Sequence, residues 1–178
     1  MTEGYDGGDL LQIAEQYIPS GASVLELGMG PGKDLERLSE KYVITGSDSS
    51  QAFLELYMEN HPDADLLQLD AVTIETGRRF DVIYSNKVLM HLSKEELISS
   101  FQRQIEVVNP GGILFHTFWS GKGEQYIEDL RFVYYTGDAL LQLIARVLPK
   151  HEYEVLAAES YAEEEENDSF YLVLRKSA

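Results

Sequence analysis

Short apolar runs alternate with segments of helical spacing along most of the chain. Apolar runs of strand length predict strands at 23–27, 42–46, 66–69, 80–84 and 113–118. Apolar residues three and four apart predict helices at 10–18, 34–41, 51–60, 94–108 and 137–147. This alternation is typical of a parallel sheet covered by helices. Two further strands are predicted at 154–160 and 169–175, whereas the aromatic-rich stretch 124–135 fits neither period.

Polar residues follow the predicted strands at the point where each strand ends. Glu26 lies next to the end of the first strand, and the later ones are followed by Asp48, Asp70 and Asn86. Because ligands of open α/β sheets bind outside the carboxyl ends of the strands, these side chains predict one ligand site. The predicted residues of that edge are Glu26, Gly28, Gly30, Gly32, Asp48, Ser49, Asp70, Ala71, Ser85 and Asn86.

The glycine-rich segment 28–32 predicts a tight turn from a strand into a helix. Glycines let a ligand approach the backbone, and the helix N-terminus suits a carboxylate or a phosphate. The dinucleotide motif would need its third glycine where Lys33 or Leu35 stands. A Walker A loop would need one more residue between its glycines. The pattern that remains is Glu-x-Gly-x-Gly-x-Gly.

The order of these motifs resembles that of the class I S-adenosylmethionine-dependent methyltransferases. After the glycine motif come Gly-x-Asp, Asp-Ala, Phe-Asp-Val-Ile-Tyr-Ser-Asn and Asn-Pro-Gly-Gly. The resemblance covers almost the whole chain and implies an α/β, Rossmann-like three-layer sandwich. Its sheet would be seven-stranded and mostly parallel, with an antiparallel C-terminal strand. One domain is expected over 1–178, with an N-terminal helix in 1–22 and a substrate-covering insert at 119–137.

The same resemblance implies a cofactor, S-adenosylmethionine, which is converted to S-adenosylhomocysteine. The three glycines would line its amino-acid end, and Glu26 would lie beneath that end. Asp48, followed by Ser49, would accept hydrogen bonds from the two ribose hydroxyls, which suits the two oxygens of a carboxylate.

At the next two strand ends, the resemblance implies contacts with the base and the methyl group. Asp70 would accept a hydrogen bond from the adenine amino group, and the backbone N–H of Ala71 would meet a ring nitrogen. Ser85 and Asn86 would lie near the methyl-bearing sulfonium. Lys87 is expected to be a solvated residue.

The acceptor side of the site rests on histidines and aromatic residues. His91 follows the fourth strand and is either a general base or a histidine that shapes the pocket. His116 either faces the pocket or packs under a helix. The expected substrate wall is aromatic, with an ordinary core segment as the alternative, and its candidates are Tyr5, Trp119, Tyr126 and Tyr135.

Composition narrows the classes of partner and location. The net charge of −17 argues against a nucleic acid or an anionic membrane, because phosphate binding depends on Lys and Arg. The chain has no cysteine, which excludes disulfides and a thiol nucleophile and fits a cytoplasmic protein. Its histidines lack metal-ligand spacing, so no metal is predicted. The expected partner is a small-molecule acceptor, and the expected state is a monomer or homodimer.

Two other functions remain open at this point. A binding protein could sense S-adenosylmethionine without transferring a methyl group. A nicotinamide-dependent oxidoreductase could use the glycines and Asp48, since Gly28 to Asp48 matches the interval of about 20 residues to a ribose-binding acid. The misplaced third glycine argues against this second alternative.

Overall fold

A seven-stranded sheet organises the computed structural model, which describes residues 8–162 and 168–178. Its strand order is β3-β2-β1-β4-β5-β9-β8, and β9 alone runs antiparallel to its two neighbours. A separate two-stranded sheet contains β6 and β7. In chain order the strands are β1 (Ser23–Leu27), β2 (Val43–Asp48), β3 (Leu66–Gln68), β4 (Phe80–Asn86), β5 (Val108–Trp119), β6 (Gly123–Ile127), β7 (Leu130–Tyr134), β8 (Tyr153–Tyr161) and β9 (Ser169–Lys176).

Helices cover both faces of the large sheet. One face packs against α4 and α5, and the other packs against α1 and α2, with α3 packed beside α2. The predicted Rossmann-like three-layer fold with one antiparallel strand is therefore confirmed. The helices are α1 (Gly8–Glu15), α2 (Lys33–Ser39), α3 (Gln51–Met58), α4 (Lys94–Val107) and α5 (Gly137–Val147), with a short 3-10 helix at Leu89–His91.

Neighbouring residues of the central strands point to opposite faces, and both faces are apolar. In β4, Ile83 belongs to the core under α4, whereas Val82 and Tyr84 belong to the core under α1. Strands buried on both faces appear in the sequence as continuous apolar runs. For this reason the runs predicted the strands well but carried little information about which residue faces which helix.

The helix α4 starts where the sequence supplies a capping box. The Ser93 hydroxyl accepts a hydrogen bond from the Glu96 N–H at 3.2 Å, and the Glu96 carboxylate accepts one from the Ser93 N–H at 2.7 Å. The helix ends at Val107, just before Asn109 and Pro110. This arrangement places the polar side chains of α4 at defined positions above the sheet.

The ambiguous stretch after β5 is a hairpin. Glu128 and Asp129 connect β6 to β7 with φ angles of 48° and 67°, as in a type I′ turn. The strand β6 is exposed throughout, whereas Val133 of β7 is buried and the residues around it are half-buried. The predicted insert 119–137 therefore contains a hairpin whose inner strand carries the packing.

None of the helices in the described part of the chain combines the length and the apolar character needed to cross a membrane.

Candidate active site

The turn between β1 and α2 contains three glycines with positive φ angles, which are 68° at Gly28, 52° at Gly30 and 87° at Gly32. At Gly32, a Cβ would lie 2.3 Å from the ring of Tyr57, so both conformation and packing require glycine. At Gly30, a Cβ would meet no atom within 4 Å. Gly30 therefore exposes bare backbone to open space, where a ligand could approach it.

Glu26 is a carboxylate enclosed by protein beneath this turn. The residue is 3% exposed, and its Oε2 has no hydrogen-bond partner among the described residues. Burial raises the pKa of Glu26 well above its usual range, and the charges of Asp34 and Asp48 raise it further. A buried carboxylate without a partner is costly to ionise, so Glu26 is suited to a cationic group that would complete it.

Asp48 is the last residue of β2 and connects this strand to the glycine turn. Its Oδ2 accepts a hydrogen bond from the Gly30 N–H at 2.9 Å, and its Oδ1 accepts one from the Ser50 N–H at 2.8 Å. Ser49 is exposed beside it, and the Ser49 carbonyl accepts a hydrogen bond from the Gln68 side chain at 3.2 Å. The ends of β1, β2 and β3 thus form one edge, as predicted from the strand order.

Asp34 is a member of this edge that the sequence pattern did not reveal. Its Oδ2 accepts hydrogen bonds from the Tyr84 hydroxyl and from the Asn86 amide, both at 2.9 Å. The Asn86 carbonyl oxygen in turn accepts one from the Thr117 hydroxyl at 2.6 Å. Asn86 is therefore held at both ends of its amide. The signal for Asp34 that the sequence did contain was its position in the first turn of α2, two residues after the last glycine of the motif.

Lys87 is not the solvated residue that was expected. It has a φ angle of 57°, and its N–H donates to the Thr117 hydroxyl at 3.0 Å. Its ammonium donates to the Ser169 hydroxyl at 2.5 Å and lies over the rings of Trp119 and Tyr161, at 5.7 Å and 5.4 Å from their centroids. Lys87 therefore connects the end of β4 to β5, β8 and β9.

The loop after β3 is shaped by Asp70. Its Oδ1 accepts hydrogen bonds from the N–H groups of Val72 at 2.6 Å and Thr73 at 3.3 Å, and its side chain is exposed. Ala71 is half-buried, and its carbonyl accepts a hydrogen bond from the Ser100 hydroxyl of α4 at 2.6 Å. Asp70 therefore lies at the same sheet edge as Asp48 and organises a turn there.

Of the two positions expected for His116, the structure shows packing under a helix, and it corrects the expected position of the Ser85 side chain. Both residues are fully buried on the α4 side of the sheet. The Ser85 hydroxyl lies 2.8 Å from Nδ1 of His116, and Nε2 of His116 lies 2.7 Å from the Gln104 side-chain oxygen. Burial lowers the pKa of His116 to about 3, so the ring is neutral. His116 packs under a helix and does not face a pocket, and only the backbone of Ser85 remains at the strand end.

His91 lies on the short 3-10 helix, against β7. Its Nδ1 is 2.7 Å from the Arg131 carbonyl oxygen, and Phe132 meets its ring edge-on at 4.7 Å between centroids. A carbonyl can only accept a hydrogen bond, so Nδ1 carries the proton and Nε2 of the neutral ring is an acceptor. This tautomer is the one that a general base acting through Nε2 requires.

The aromatic candidates fall into different environments. Trp119 is half-buried and stacks on Phe132 and Tyr134, with centroid distances of 5.4 Å and 6.3 Å. Tyr135 is buried in the core beside Phe118, where burial raises its pKa to about 12. Tyr126 is 59% exposed on β6. Among the described residues of the predicted wall, Trp119 is therefore half-buried and Tyr126 is exposed, whereas Tyr135 is a core residue.

Tyr5 lies outside the described residues. Among residues 8–162 and 168–178, no cluster of three or more His, Asp or Glu side chains could hold a metal ion, and the prediction of a metal-free site stays a prediction.

Comparison with known proteins decides the family. The family model described as a methyltransferase domain matches residues 24–112, which is half of the chain and runs from the second residue of β1 past the end of β4. The chain belongs to the class I S-adenosylmethionine-dependent methyltransferases.

Curated methyltransferases are similar to this chain over part of their length. A trans-aconitate 2-methyltransferase of Delftia acidovorans is 31% identical over 159 residues, which cover 82% of this chain and 58% of the relative. A second one, from Paracidovorax citrulli, is 31% identical over 107 residues, which cover 57% of this chain and 40% of the relative. The chain thus spans about half the length of these methyltransferases.

Solved methyltransferase structures share the fold. The 1,6-didemethyltoxoflavin-N1-methyltransferase of Burkholderia thailandensis superposes with a TM-score of 0.80 at 15% identity. The alignment covers 99% of this chain and 80% of that chain. At this identity the likeness establishes the methyltransferase fold only.

Proposed function

We propose that this chain transfers the methyl group of S-adenosylmethionine to a small-molecule acceptor. The observation that carries the proposal is the acid cluster (Glu26, Asp34 and Asp48) around the open backbone of Gly30. An uncompensated buried carboxylate beside exposed glycine backbone fits the ammonium of the amino-acid end of the cofactor. Membership of the methyltransferase family supports the same assignment.

Each strand end has a proposed part in holding the cofactor. Glu26 would receive the ammonium, directly or through a water. Each Asp48 oxygen accepts one backbone N–H, which fixes the orientation of the carboxylate and leaves acceptor capacity on both oxygens for a ribose diol. Asp70 and the Ala71 N–H would bind the adenine. Asn86, with its amide held by Asp34 and Thr117, would border the methyl group.

The chemical step needs little from the protein besides alignment. When bound, S-adenosylmethionine supplies a methyl group on a positively charged sulfonium, which is a good leaving group. The chain's part is to orient the acceptor and to exclude water, which Trp119 and the β6–β7 hairpin would do. If the acceptor needs deprotonation, Nε2 of His91 would take that proton, because Nδ1 is occupied by the Arg131 carbonyl.

The acceptor and the setting of the protein are part of the proposal. The trans-aconitate relatives support a small organic molecule, and trans-aconitate is the first compound to test. The net charge of −17 supports a function without a nucleic-acid partner, and the absence of cysteine supports a cytoplasmic location. We also propose one domain, a monomer or homodimer, in which the insert 119–137 covers the acceptor.

Calorimetric titration tests the cofactor assignment. We expect micromolar binding of S-adenosylmethionine and S-adenosylhomocysteine and no binding of NAD. Binding of NAD alone would favour the oxidoreductase alternative, which the family assignment does not support. Binding without formation of S-adenosylhomocysteine, across a panel of small acceptors that begins with trans-aconitate, would favour a sensor.

The role of His91 needs a separate variant. With an acceptor that must lose a proton, His91→Ala should lower kcat by about 10²-fold or more, as expected for a lost general base, while the cofactor Kd stays within about twofold. His151→Ala is the matched control, because His151 is exposed. Full turnover by His91→Ala would remove His91 from the chemistry.

A further inference from the structure

The helix α4 holds the loop after β3 through backbone carbonyls. The Ser100 hydroxyl donates to the Ala71 carbonyl at 2.6 Å. The Arg103 Nε donates to the carbonyls of Thr73 at 3.1 Å and Ile74 at 3.3 Å, and its Nη2 donates to that of Thr76 at 3.3 Å. Two side chains of α4 thus bond four carbonyls of a single loop, which we call the base loop (residues 70–76).

The base loop contains a strained backbone conformation. The hydrogen bonds from Ser100 and Arg103, which we call the clamp, must maintain it. Ile74 has a φ angle of 41°, which is rare for a β-branched residue, and its side chain is fully buried in the core. Its N–H donates to the Asp70 carbonyl at 2.9 Å. Strained backbone of this kind persists only where the surroundings over-determine it. Here the buried Ile74 side chain and the Arg103 guanidinium do so together.

The direction of the Ala71 N–H follows from this arrangement. The Asp70 carbonyl and the Ala71 N–H belong to one planar trans peptide, so they point in opposite directions. Because the Asp70 carbonyl points into the loop toward Ile74, the Ala71 N–H points out of it. The carboxylate of Asp70, which belongs to the residue that supplies this carbonyl, accepts a hydrogen bond from the Val72 N–H. The clamp therefore orients the two groups that would bind an adenine.

A buried hydrogen-bond chain holds Ser100 itself. We call it the polar chain (Ser85, His116, Gln104 and Ser100), and all four residues are 0% exposed. The Gln104 amide donates to the Ser100 hydroxyl at 3.0 Å, so its oxygen accepts from Nε2 of His116. Nδ1 of His116 then accepts from the Ser85 hydroxyl. Each hydrogen bond of the polar chain therefore has an assigned donor and acceptor, and the last one is accepted by the Ala71 carbonyl.

We propose that Ser100 and Arg103 are positioning residues that set the nucleobase selectivity of the cofactor site. Their side chains donate to backbone carbonyls of the base loop. They fix the base loop so that the Asp70 carboxylate and the Ala71 N–H present an acceptor and a donor to the adenine edge. This inference rests on the proposed function, because it assumes that an adenosyl cofactor binds at this edge.

The test compares two ligands that differ at the base alone. S-adenosylhomocysteine carries a 6-amino group, and S-inosylhomocysteine carries a 6-oxo group that cannot donate to Asp70. The wild-type protein should prefer the adenosyl ligand. Ser100→Ala and Arg103→Ala should each weaken the binding of S-adenosylhomocysteine by about fivefold, which is the effect of losing one hydrogen bond between the base loop and the adenine. Binding of the inosyl ligand should change less than about twofold, so the preference falls.

Stability and selectivity are separated by a control on the same helix. Ile105→Val removes a methyl group from the core under α4 but none of the hydrogen bonds to the base loop, so it should lower stability and leave the ligand preference unchanged. If Ser100→Ala does not fold, Arg103→Ala decides, since the Arg103 side chain is 33% exposed. An equal loss of both ligands, or an unchanged preference, overturns the inference. Failure of the wild-type protein to bind S-adenosylhomocysteine would instead contradict the proposed function.

Discussion

Two clusters of polar side chains, the polar chain and the acid cluster, differ in whether every buried polar atom has a hydrogen-bond partner. In the polar chain under α4, each member has a partner and each proton has a direction. In the acid cluster, Asp34 and Asp48 are bonded, but Oε2 of Glu26 has no partner among the described residues. A complete buried network stabilises one conformation, whereas an incomplete one marks the point that a ligand would complete.

The largest expected effect comes from Glu26→Gln. If Glu26 receives the cofactor ammonium, loss of its charge should weaken S-adenosylhomocysteine by about 10- to 100-fold, as for a lost hydrogen bond to a charged group. The measurement is calorimetric titration. Glu40→Gln, which makes the same change of charge at an exposed position, should leave the affinity unchanged.

The same variant should be more stable than the wild type without ligand. The folded-state pKa of Glu26 is raised, so the unfolded chain ionises first as pH rises above about 4.3. The free energy of unfolding therefore decreases as pH rises from that value toward the raised pKa. Glu26→Gln removes this loss. A variant that is less stable at neutral pH would show that Glu26 already has a compensating partner.

The buried, neutral His116 of the polar chain should make the free energy of unfolding depend on pH below neutrality. Because the pKa of His116 is lowered to about 3, the folded protein keeps the ring neutral while the unfolded chain takes up a proton near pH 6.5. The stability that this provides is present above about pH 6.5 and is lost as pH falls toward 3. Between about pH 7 and 5, the wild type should therefore lose about 2 kcal/mol more than His116→Gln in urea unfolding. Equal losses would contradict the buried, neutral ring.

Thr117→Val tests the bonds that adjoin the acid cluster. The Thr117 hydroxyl donates to Asn86 and accepts from the Lys87 N–H, and the residue is fully buried. Valine has the same shape but cannot make either of these two hydrogen bonds, so the free energy of unfolding should fall by about 1–2 kcal/mol. Urea unfolding measures it, and no change would mean that both partners find other bonds.

The smallest effect is expected on the hairpin. Tyr126 is 59% exposed, so Tyr126→Ala should change the free energy of unfolding by less than about 0.5 kcal/mol. Trp119→Ala, which loses two stacked rings, should cost clearly more. Equal effects of the two variants would show that the outer strand of the hairpin also packs on the protein.

The ligand edge was accessible from the sequence because strand ends are marked by chemistry. Asp48 and Asn86 close apolar runs, and parallel strands bring such ends together. Ser85 and Asn86 are adjacent in one strand and must point to opposite faces, so the pattern allowed only one of the two side chains at the acid cluster. The sequence could not say which one, because both faces of β4 are buried.

The acceptor side was harder to predict for two physical reasons. His116 lies in a strand that is buried on both faces, so alternation did not indicate its side. The hairpin turn consists of Glu128 and Asp129, which lack the glycine that usually marks a type I′ turn. The inner strand of the hairpin packs on the 3-10 helix that carries His91, a tertiary contact that the local sequence pattern does not contain.

The most direct test of the account is the pH dependence of S-adenosylhomocysteine binding by the wild type and by Glu26→Gln. Because a cationic group favours ionised Glu26, binding must release the proton that the raised pKa retains. The account predicts that the wild-type affinity falls as pH is lowered from about 8 to 5.5, and that the variant binds weakly with a flat profile. Equal affinities with the same pH profile would contradict the claim that Glu26 is the incomplete group that the cofactor completes.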